Sequence, residues 1–316
     1  MRIEVPYIYN LEHTFRCGQA FRWKYEKGFW NGITNGELIF IREVGNSKGI
    51  SKGNSNEKTE FEFFTYPKKD NLSLICSYFR LEDNMPLILK SITKDKTMRN
   101  AIEKYKGLHL LRQEPFESLI TYLFSAQSSI PIISRNVEVF SQKYGKRIEY
   151  KTDKKMENMG LEKYSDPMIR YSFPNAEDLK CVTENELRRL GLGFRAKWVK
   201  NAIDFVNSGK LDFEELRDME YGKARNKLME VKGVGPKIAD CVLLFSLDKL
   251  EAFPVDRWIK RILEEEYFRK RKVTDKSEKR LADFAREYFG KYAGYAQEYL
   301  FYYRRRLEDG KKLKVG

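Results

Sequence analysis

From Gly28 to Val44 the chain reads GFWNGITNGELIFIREV, with apolar and polar positions alternating at a period of two. That period predicts strands. Asn35-Gly36, in the middle of the run, predicts a tight hairpin turn. FEFFTY, beginning at Phe61, predicts a further strand. The intervening GNSKGISKGNSNEK is polar and rich in glycine and serine, the composition of a connecting loop. Residues 1–85 are therefore expected to form an antiparallel β domain whose sheet is covered on one face.

From about Asn84 the apolar spacing changes to i, i+3, i+4. PFESLITYLFSAQ, NELRRLGLGFRAKWVKNAIDFV and KSEKRLADFAREYFGKYAGYAQEYLFYYRRR all carry it, with glycines at turn-like points. Lys151 to Pro174 is polar and reads as a connecting loop, and the basic tail RRRLEDGKKLKVG reads as a fraying end. ARNKLMEV predicts a helix ending near Lys232. The predicted class is α+β: the antiparallel β domain, then a mostly helical region over 86–316 with a helix-hairpin-helix at about 222–246.

A chain of 316 residues is long enough for two or three domains with a sizeable core. Sixty Lys and Arg against 46 Asp and Glu leave a net charge of +14, which points to a polyanion, most often nucleic acid. Cys17, Cys76, Cys181 and Cys241 stand far apart, without metal-ligand spacing or the clustered run of an iron–sulfur site. His13 and His109 are the only histidines, which argues against a histidine metal site and a Ser-His-Asp triad. Catalysis must then rest on lysine, carboxylates, cysteine or backbone groups. The start of the chain does not read as a secretory signal, and no apolar run is long enough to span a membrane, so a cytoplasmic protein is expected.

The chemistry concentrates in KGVGPKIADCVLLF, Lys232 to Phe245, and in FPVD, Phe253 to Asp256. Gly233 and Gly235 allow positive φ and close backbone approach. Pro236 suits the first position of a helix, whose unpaired amides and positive dipole end bind phosphate without reading sequence. On its own this reads first as an ordinary helix–helix turn; the flanking helices and the residues that follow reverse that order. Lys237 follows in the first helical turn, where the like-signed dipole end favours a neutral amine able to attack carbon. Asp256, 19 positions later (256 − 237), is placed to cap the helix of RWIKRILEEE. A carboxylate held there by amides would stay charged and could stabilise positive charge on a sugar ring. Cys241 lies at i+4 from Lys237, on the same helix face, and reads by itself as a small buried hydrophobe.

With these residues the chain resembles the helix-hairpin-helix DNA glycosylase superfamily, and within it the 8-oxoguanine DNA glycosylase/AP lyase family. CGQAFRW (Cys17–Trp23), PFESLITYLFSAQSSI (Pro115–Ile130), GLGFRAKWV (Gly191–Val199), the hairpin with Lys237 and Asp256, and YAGYAQEYLF (Tyr292–Phe301) follow in family order. The resemblance implies duplex DNA containing 8-oxoguanine as substrate, a base flipped from the stack, and association with the nucleoid. Lys237 would attack C1′, Asp256 would stabilise the oxocarbenium-like charge, and the resulting Schiff base would permit β-elimination. It further implies that the Gly18 carbonyl reads the N7 hydrogen that 8-oxoguanine has and guanine lacks. Gln297 would read the Watson–Crick edge, and Phe301 and Cys241 would cover the two faces of the base. A monomer without redox or catalytic-metal cofactor or iron–sulfur cluster is implied, with a monovalent cation allowed on hairpin carbonyls.

Gln127 stands where eukaryotic members carry the asparagine that fills the vacated helix. Phe194 replaces a tyrosine wedge, Arg195 keeps an arginine for the orphaned base, and Trp258 replaces a phosphate-contacting histidine. Ile132 replaces an arginine that contacts the estranged cytosine, so weak discrimination of the opposite base is expected. These departures match a prokaryotic member, bacterial or archaeal. Two rivals remain at this stage: a monofunctional alkylpurine glycosylase, which generally lacks the hairpin lysine, and a non-catalytic DNA-binding hairpin module.

Overall fold

The computed structural model describes residues 1–44, 58–151, 168–268 and 277–312, with side chains to Leu307. The glycine- and serine-rich loop lies almost wholly outside these residues, as does much of the connection read between Lys151 and Pro174.

Asn35 at φ 49 and Gly36 at φ 74 form the expected turn, both in the left-handed region that a two-residue hairpin requires. They join β3 (Phe29–Thr34) to β4 (Glu37–Val44), with Trp30 opposite Ile41 and Thr34 opposite Glu37. With β1 (Arg2–Val5), β2 (Lys24–Glu26) and β5 (Thr59–Tyr66), the antiparallel sheet runs in the order β1-β5-β4-β3-β2.

Two helices interrupt the stretch expected to be β: α1 (Leu11–Arg16), capped by Asn10, and α2 (Leu72–Tyr78), capped by Asn71. Both are too short for the 3.6 period to stand out. Phe15, Leu74, Ile75 and Phe79 pack on one sheet face with Ile39, Ile41, Phe61 and Phe63. The opposite face, expected to be open, is also covered. Phe29, Leu38, Phe40 and Phe64 meet Tyr150 and Met168, which lie on an antiparallel pair, β6 (Arg147–Tyr150) and β7 (Met168–Tyr171). β7 falls within the segment read as a loop. Each of these strands has four residues, and together they add only Ile148, Tyr150 and Met168 to this core, too short a run for alternation to stand out.

The helical region contains α3 (Met85–Ile92), α4 (Lys96–Lys104), α5 (Pro115–Phe124) and α6 (Ile130–Tyr144). After β7 come α7 (Glu184–Leu187), α8 (Ala196–Asn207), α9 (Phe213–Asp218) and α10 (Tyr221–Met229). Gly191 at φ 84 and Gly193 at φ 55 break the run between α7 and α8. α10 ends at Met229, one turn earlier than ARNKLMEV suggested. Then follow α11 (Pro236–Ser246), α12 (Arg257–Ile262), α13 (Glu278–Phe289) and α14 (Ala293–Lys312). The basic tail expected to fray stays helical to Lys312. Among the described residues no helix is long and apolar enough to cross a membrane.

α5 is buried along Leu119, Ile120, Leu123 and Phe124 and packs against α11 in the larger core. Sheet and helices are joined at Asp248, which binds the buried Arg80 together with Arg112 at 2.8 Å and Arg217 at 2.9 Å. The end of α5 and the turn after α1 therefore meet α11 and α14 within one packed body.

Candidate active site

The hairpin after α10 is built on Gly233, at φ 91. A Cβ there would lie 2.3 Å from Trp198 Cγ, so both conformation and packing demand glycine. Gly235 differs from expectation: it is extended (φ −93, ψ −179) and caps α11, with Pro236 as the first helical residue. The amides of Gly233, Gly235, Lys237 and Ile238 have no acceptor among the described residues. They lie at the positive end of α11, where an anion is stabilised. The Lys232 amide donates to Asn201 Oδ1 at 2.8 Å, which ties the hairpin to α8.

Lys237, in the first turn of α11, is half-buried. Its Nζ donates to Ser125 Oγ at 3.3 Å and sits 5.3 Å from the Tyr122 ring centroid. Ser125 donates in turn to the Tyr122 carbonyl at 2.6 Å, which leaves its oxygen free to accept from the amine. The end of α5 therefore aims the lysine.

Asp256 caps α12. Its Oδ1 accepts from the amides of both Trp258 and Ile259 at 2.9 Å. Its Oδ2 has no hydrogen bond among the described residues, so one carboxylate holds the helix and still presents an oxygen. Burial pushes its pKa above the ordinary 3.8, although the two amides and Lys237 pull it down. The expectation that amides alone would set its charge thus omitted the larger effect, desolvation. Cys241, one turn beyond Lys237, is buried, and burial pushes the thiol up to about 12 against the pull of Lys237. It is a neutral packing surface rather than a thiolate nucleophile.

On the other side, Gly18 sits at φ 111, and a Cβ there would lie 3.4 Å from Phe301 Cε1. Its carbonyl accepts no hydrogen bond among the described residues. Gln297, one turn before Phe301 on α14, is 5% exposed, and its Oε1 is buried without a partner among the described residues. Buried polar atoms are normally satisfied, so the Gln297 oxygen marks a place for a donor. Tyr122 links the two sides, with Lys237 over its ring and its hydroxyl donating to the Gln19 carbonyl at 3.2 Å, next to Gly18.

Gln127, Phe194 and Arg195 come together at one edge. Arg195 donates to the carbonyls of Ala126 at 2.7 Å and Gln127 at 3.2 Å, and lies 4.9 Å from the Phe194 ring. Gln127 is exposed at φ 51. Phe194 is 39% exposed and Ile132 50%, a high exposure for large apolar side chains. Trp258 lies under two guanidinium groups, Arg257 at 4.8 Å and Arg261 at 5.5 Å.

Sequence reading did not single out Tyr122, Ser125 or Glu298. The first two lie three positions apart in PFESLITYLFSAQSSI, a spacing that puts them on one helix face. Glu298 is a lone carboxylate in the apolar run AGYAQEYLFYY. It is fully buried, and desolvation, with Asp256 adding to it, pushes its pKa up to about 7.

A family model described as "8-oxoguanine DNA glycosylase, N-terminal domain" matches residues 2–119. Among curated proteins the chain is similar to the probable N-glycosylase/DNA lyase of Methanothermobacter thermautotrophicus, 29% identical over 100% of this chain and 99% of that one. It is 28% identical to an N-glycosylase/DNA lyase of Arabidopsis thaliana, over 92% of this chain and 76% of that one. Among solved structures it is similar to the Clostridium acetobutylicum 8-oxoguanine glycosylase/lyase in complex with double-stranded DNA containing cytosine opposite 8-oxoguanine. That match has 30% identity and a TM-score of 0.80, and covers 98% of each chain.

Proposed function

Because the chain belongs to the 8-oxoguanine DNA glycosylase/lyase family, we infer that it excises 8-oxoguanine from duplex DNA and cleaves the strand through a lysine Schiff base. The observation that carries this reading is a half-buried Lys237 amine whose charge pulls on the buried Asp256 carboxylate. The amine is held by Ser125 over Tyr122, and the carboxylate keeps one oxygen free.

In this reading the amides around Gly235 and Lys237 take a backbone phosphate. Phe194, Arg195 and Gln127 occupy the gap left by the flipped nucleotide, and Trp258 with its two arginines faces a flanking phosphate. The base enters between Cys241 and Phe301. Gln297 meets its Watson–Crick edge, and the Gly18 carbonyl accepts from N7–H. Guanine would instead set its N7 acceptor against that carbonyl, leaving both unsatisfied at a cost of about 1–3 kcal/mol each.

The Lys237 amine forms a bond to C1′ as the C1′–N9 bond breaks and the electron pair leaves with the base. Asp256 stabilises the positive charge that develops on the sugar. Loss of the amine proton and ring opening give the iminium, which acidifies C2′–H. β-Elimination then breaks the C3′–O bond. The amine and carboxylate supply the nucleophile and the counter-charge, so the reading needs no redox cofactor, catalytic metal or iron–sulfur cluster. The carbonyls of Lys232, Gly233 and Val234 take no hydrogen bond among the described residues and would suit a monovalent cation. The protein would act as a monomer at the nucleoid.

The test is a duplex bearing one 8-oxoguanine, incubated with and without borohydride. A covalent protein–DNA adduct with borohydride and a nick without it are expected. Base release with no adduct would indicate a water nucleophile and overturn the lysine mechanism.

Ile132 carries a second expectation. An exposed isoleucine donates nothing to the estranged base, so excision rates opposite cytosine and opposite adenine should agree within about twofold. Ile132→Arg should add a preference for cytosine of roughly tenfold, the scale of one good base contact. A strong cytosine preference in the unaltered protein would refute this account.

A further inference from the structure

The turn after α1 is held from three directions. Arg305, on α14, donates from Nη1 to the Cys17 carbonyl at 2.7 Å and from Nη2 to the Arg16 carbonyl. The Gln19 carbonyl accepts from Gln113 Nε2 at 2.7 Å and from the Tyr122 hydroxyl at 3.2 Å. The Gly18 carbonyl, between them, is the one left without a donor among the described residues.

The Cys17 side chain is fixed as well. Its thiol donates to the Thr14 carbonyl at 3.1 Å and accepts from Gln19 Nε2 at 3.2 Å. Glu298 stands seven positions before Arg305 (305 − 298), two turns along the same face of α14, and attracts its guanidinium. Arg305 also lies 5.4 Å from the Phe301 ring centroid. One helix therefore carries Gln297 and Phe301, assigned to the base, and Arg305, which grips the two residues before Gly18.

A glycine at φ 111 is where the backbone turns most easily. The Gly18–Gln19 peptide plane would rotate if its neighbours were free. A mobile carbonyl would lose its bond to N7–H, and it would also swing away from the N7 of guanine and relieve the repulsion that rejects the normal base. Discrimination requires a carbonyl that cannot turn.

We propose that Arg305 is a positioning residue that locks the Gly18 carbonyl, and so sets the preference for 8-oxoguanine over guanine without touching the base. This rests on the reading of Gly18 as the lesion reader.

The test uses the full chain with Arg305→Met and, as the variant that keeps the charge but not the fork, Arg305→Lys. Two substrates are compared, a duplex with 8-oxoguanine and the same duplex with a preformed abasic site, where cleavage requires no base reading. Arg305→Met should lower kcat/KM for 8-oxoguanine excision by roughly tenfold, the scale of one misplaced hydrogen bond. Arg305→Lys should fall between Met and the unaltered protein. Cleavage at the abasic site should stay within about twofold for both, because phosphate grip and amine are untouched. With Lys237→Gln added to prevent turnover, the ratio of affinities for 8-oxoguanine and guanine duplexes should shrink with Arg305→Met. Equal losses on both substrates would overturn the proposal by showing a general structural role, and unchanged excision by both Arg305 variants would overturn it directly. An unaltered protein that cleaves abasic DNA but ignores 8-oxoguanine would overturn the functional reading, and this inference with it.

Discussion

Lys237→Gln is expected to abolish both strand cleavage and the borohydride-trapped adduct while duplex binding stays within a few-fold. The phosphate grip consists of backbone amides at Gly233, Gly235 and Ile238 together with that of residue 237 itself, and a side-chain change leaves them in place. The lost amine has no replacement, because Cys241 is held as a neutral thiol by burial. Removing a covalent nucleophile typically costs on the order of 10³-fold or more in rate. The fold should be unaffected, since Lys237 is half-buried and its described contacts are one 3.3 Å hydrogen bond and one ring. Gel-shift affinity and single-turnover cleavage, measured on the same preparation, separate binding from chemistry. Cleavage that survives in the variant would remove Lys237 from the mechanism.

Asp256→Asn separates the two tasks that one carboxylate performs. Asparagine caps helices about as well as aspartate, so the bonds to Trp258 and Ile259 should persist and stability should change by less than about 0.5 kcal/mol from the cap. The counter-charge for the sugar is lost, and excision should slow by about 10²- to 10³-fold. The pH dependence has a definite sign. The folded-state pKa of Asp256 lies above the usual carboxylate value. The folded protein therefore holds this proton more tightly than the unfolded chain. The contribution of Asp256 to stability is fully present below the unfolded pKa and declines as pH rises through the folded one. Activity runs the other way, because catalysis needs the ionised form. Excision should fall as pH drops through the raised pKa, and that acid limb should be missing from the residual rate of the asparagine variant. Melting temperatures and pH–rate profiles for both proteins decide this. A variant that loses stability and keeps its rate would make Asp256 a cap and nothing more.

Both residues were legible because their positions follow local rules. Pro236 starts a helix, Lys237 falls in its first turn, and a small polar residue before RWIKRI is a cap. These rules act within a few residues, so they hold wherever the segment packs. The hairpin in the sheet is equally local, Asn35 and Gly36 being residues that readily take left-handed backbone. The resemblance added Gly18, Gln297 and Phe301, which no local rule would select.

Where the reading was incomplete, contacts distant in sequence decided the outcome. The second face of the sheet is covered because Tyr150 and Met168 reach it, more than 80 residues beyond any strand of that sheet (150 − 66). Phe29–Thr34 is consequently buried at every position, and its alternation marks two apolar environments rather than one core and one open face. Desolvation belongs to the same class. It raises Asp256, Glu298 and Cys241, and it depends on what surrounds a side chain rather than on its neighbours in the chain.

By itself, then, the chain's order of residues determined its class, its hairpin, its lysine and its capping aspartate, since backbone geometry and periodicity are properties of short segments. Tertiary structure alone decided that Tyr122 and Ser125 aim the amine, that burial raises Asp256, and that Arg305 holds the turn around Gly18. Each of these joins residues more than 100 positions apart or sets a charge by burial, and such relations exist only once the core has closed around them.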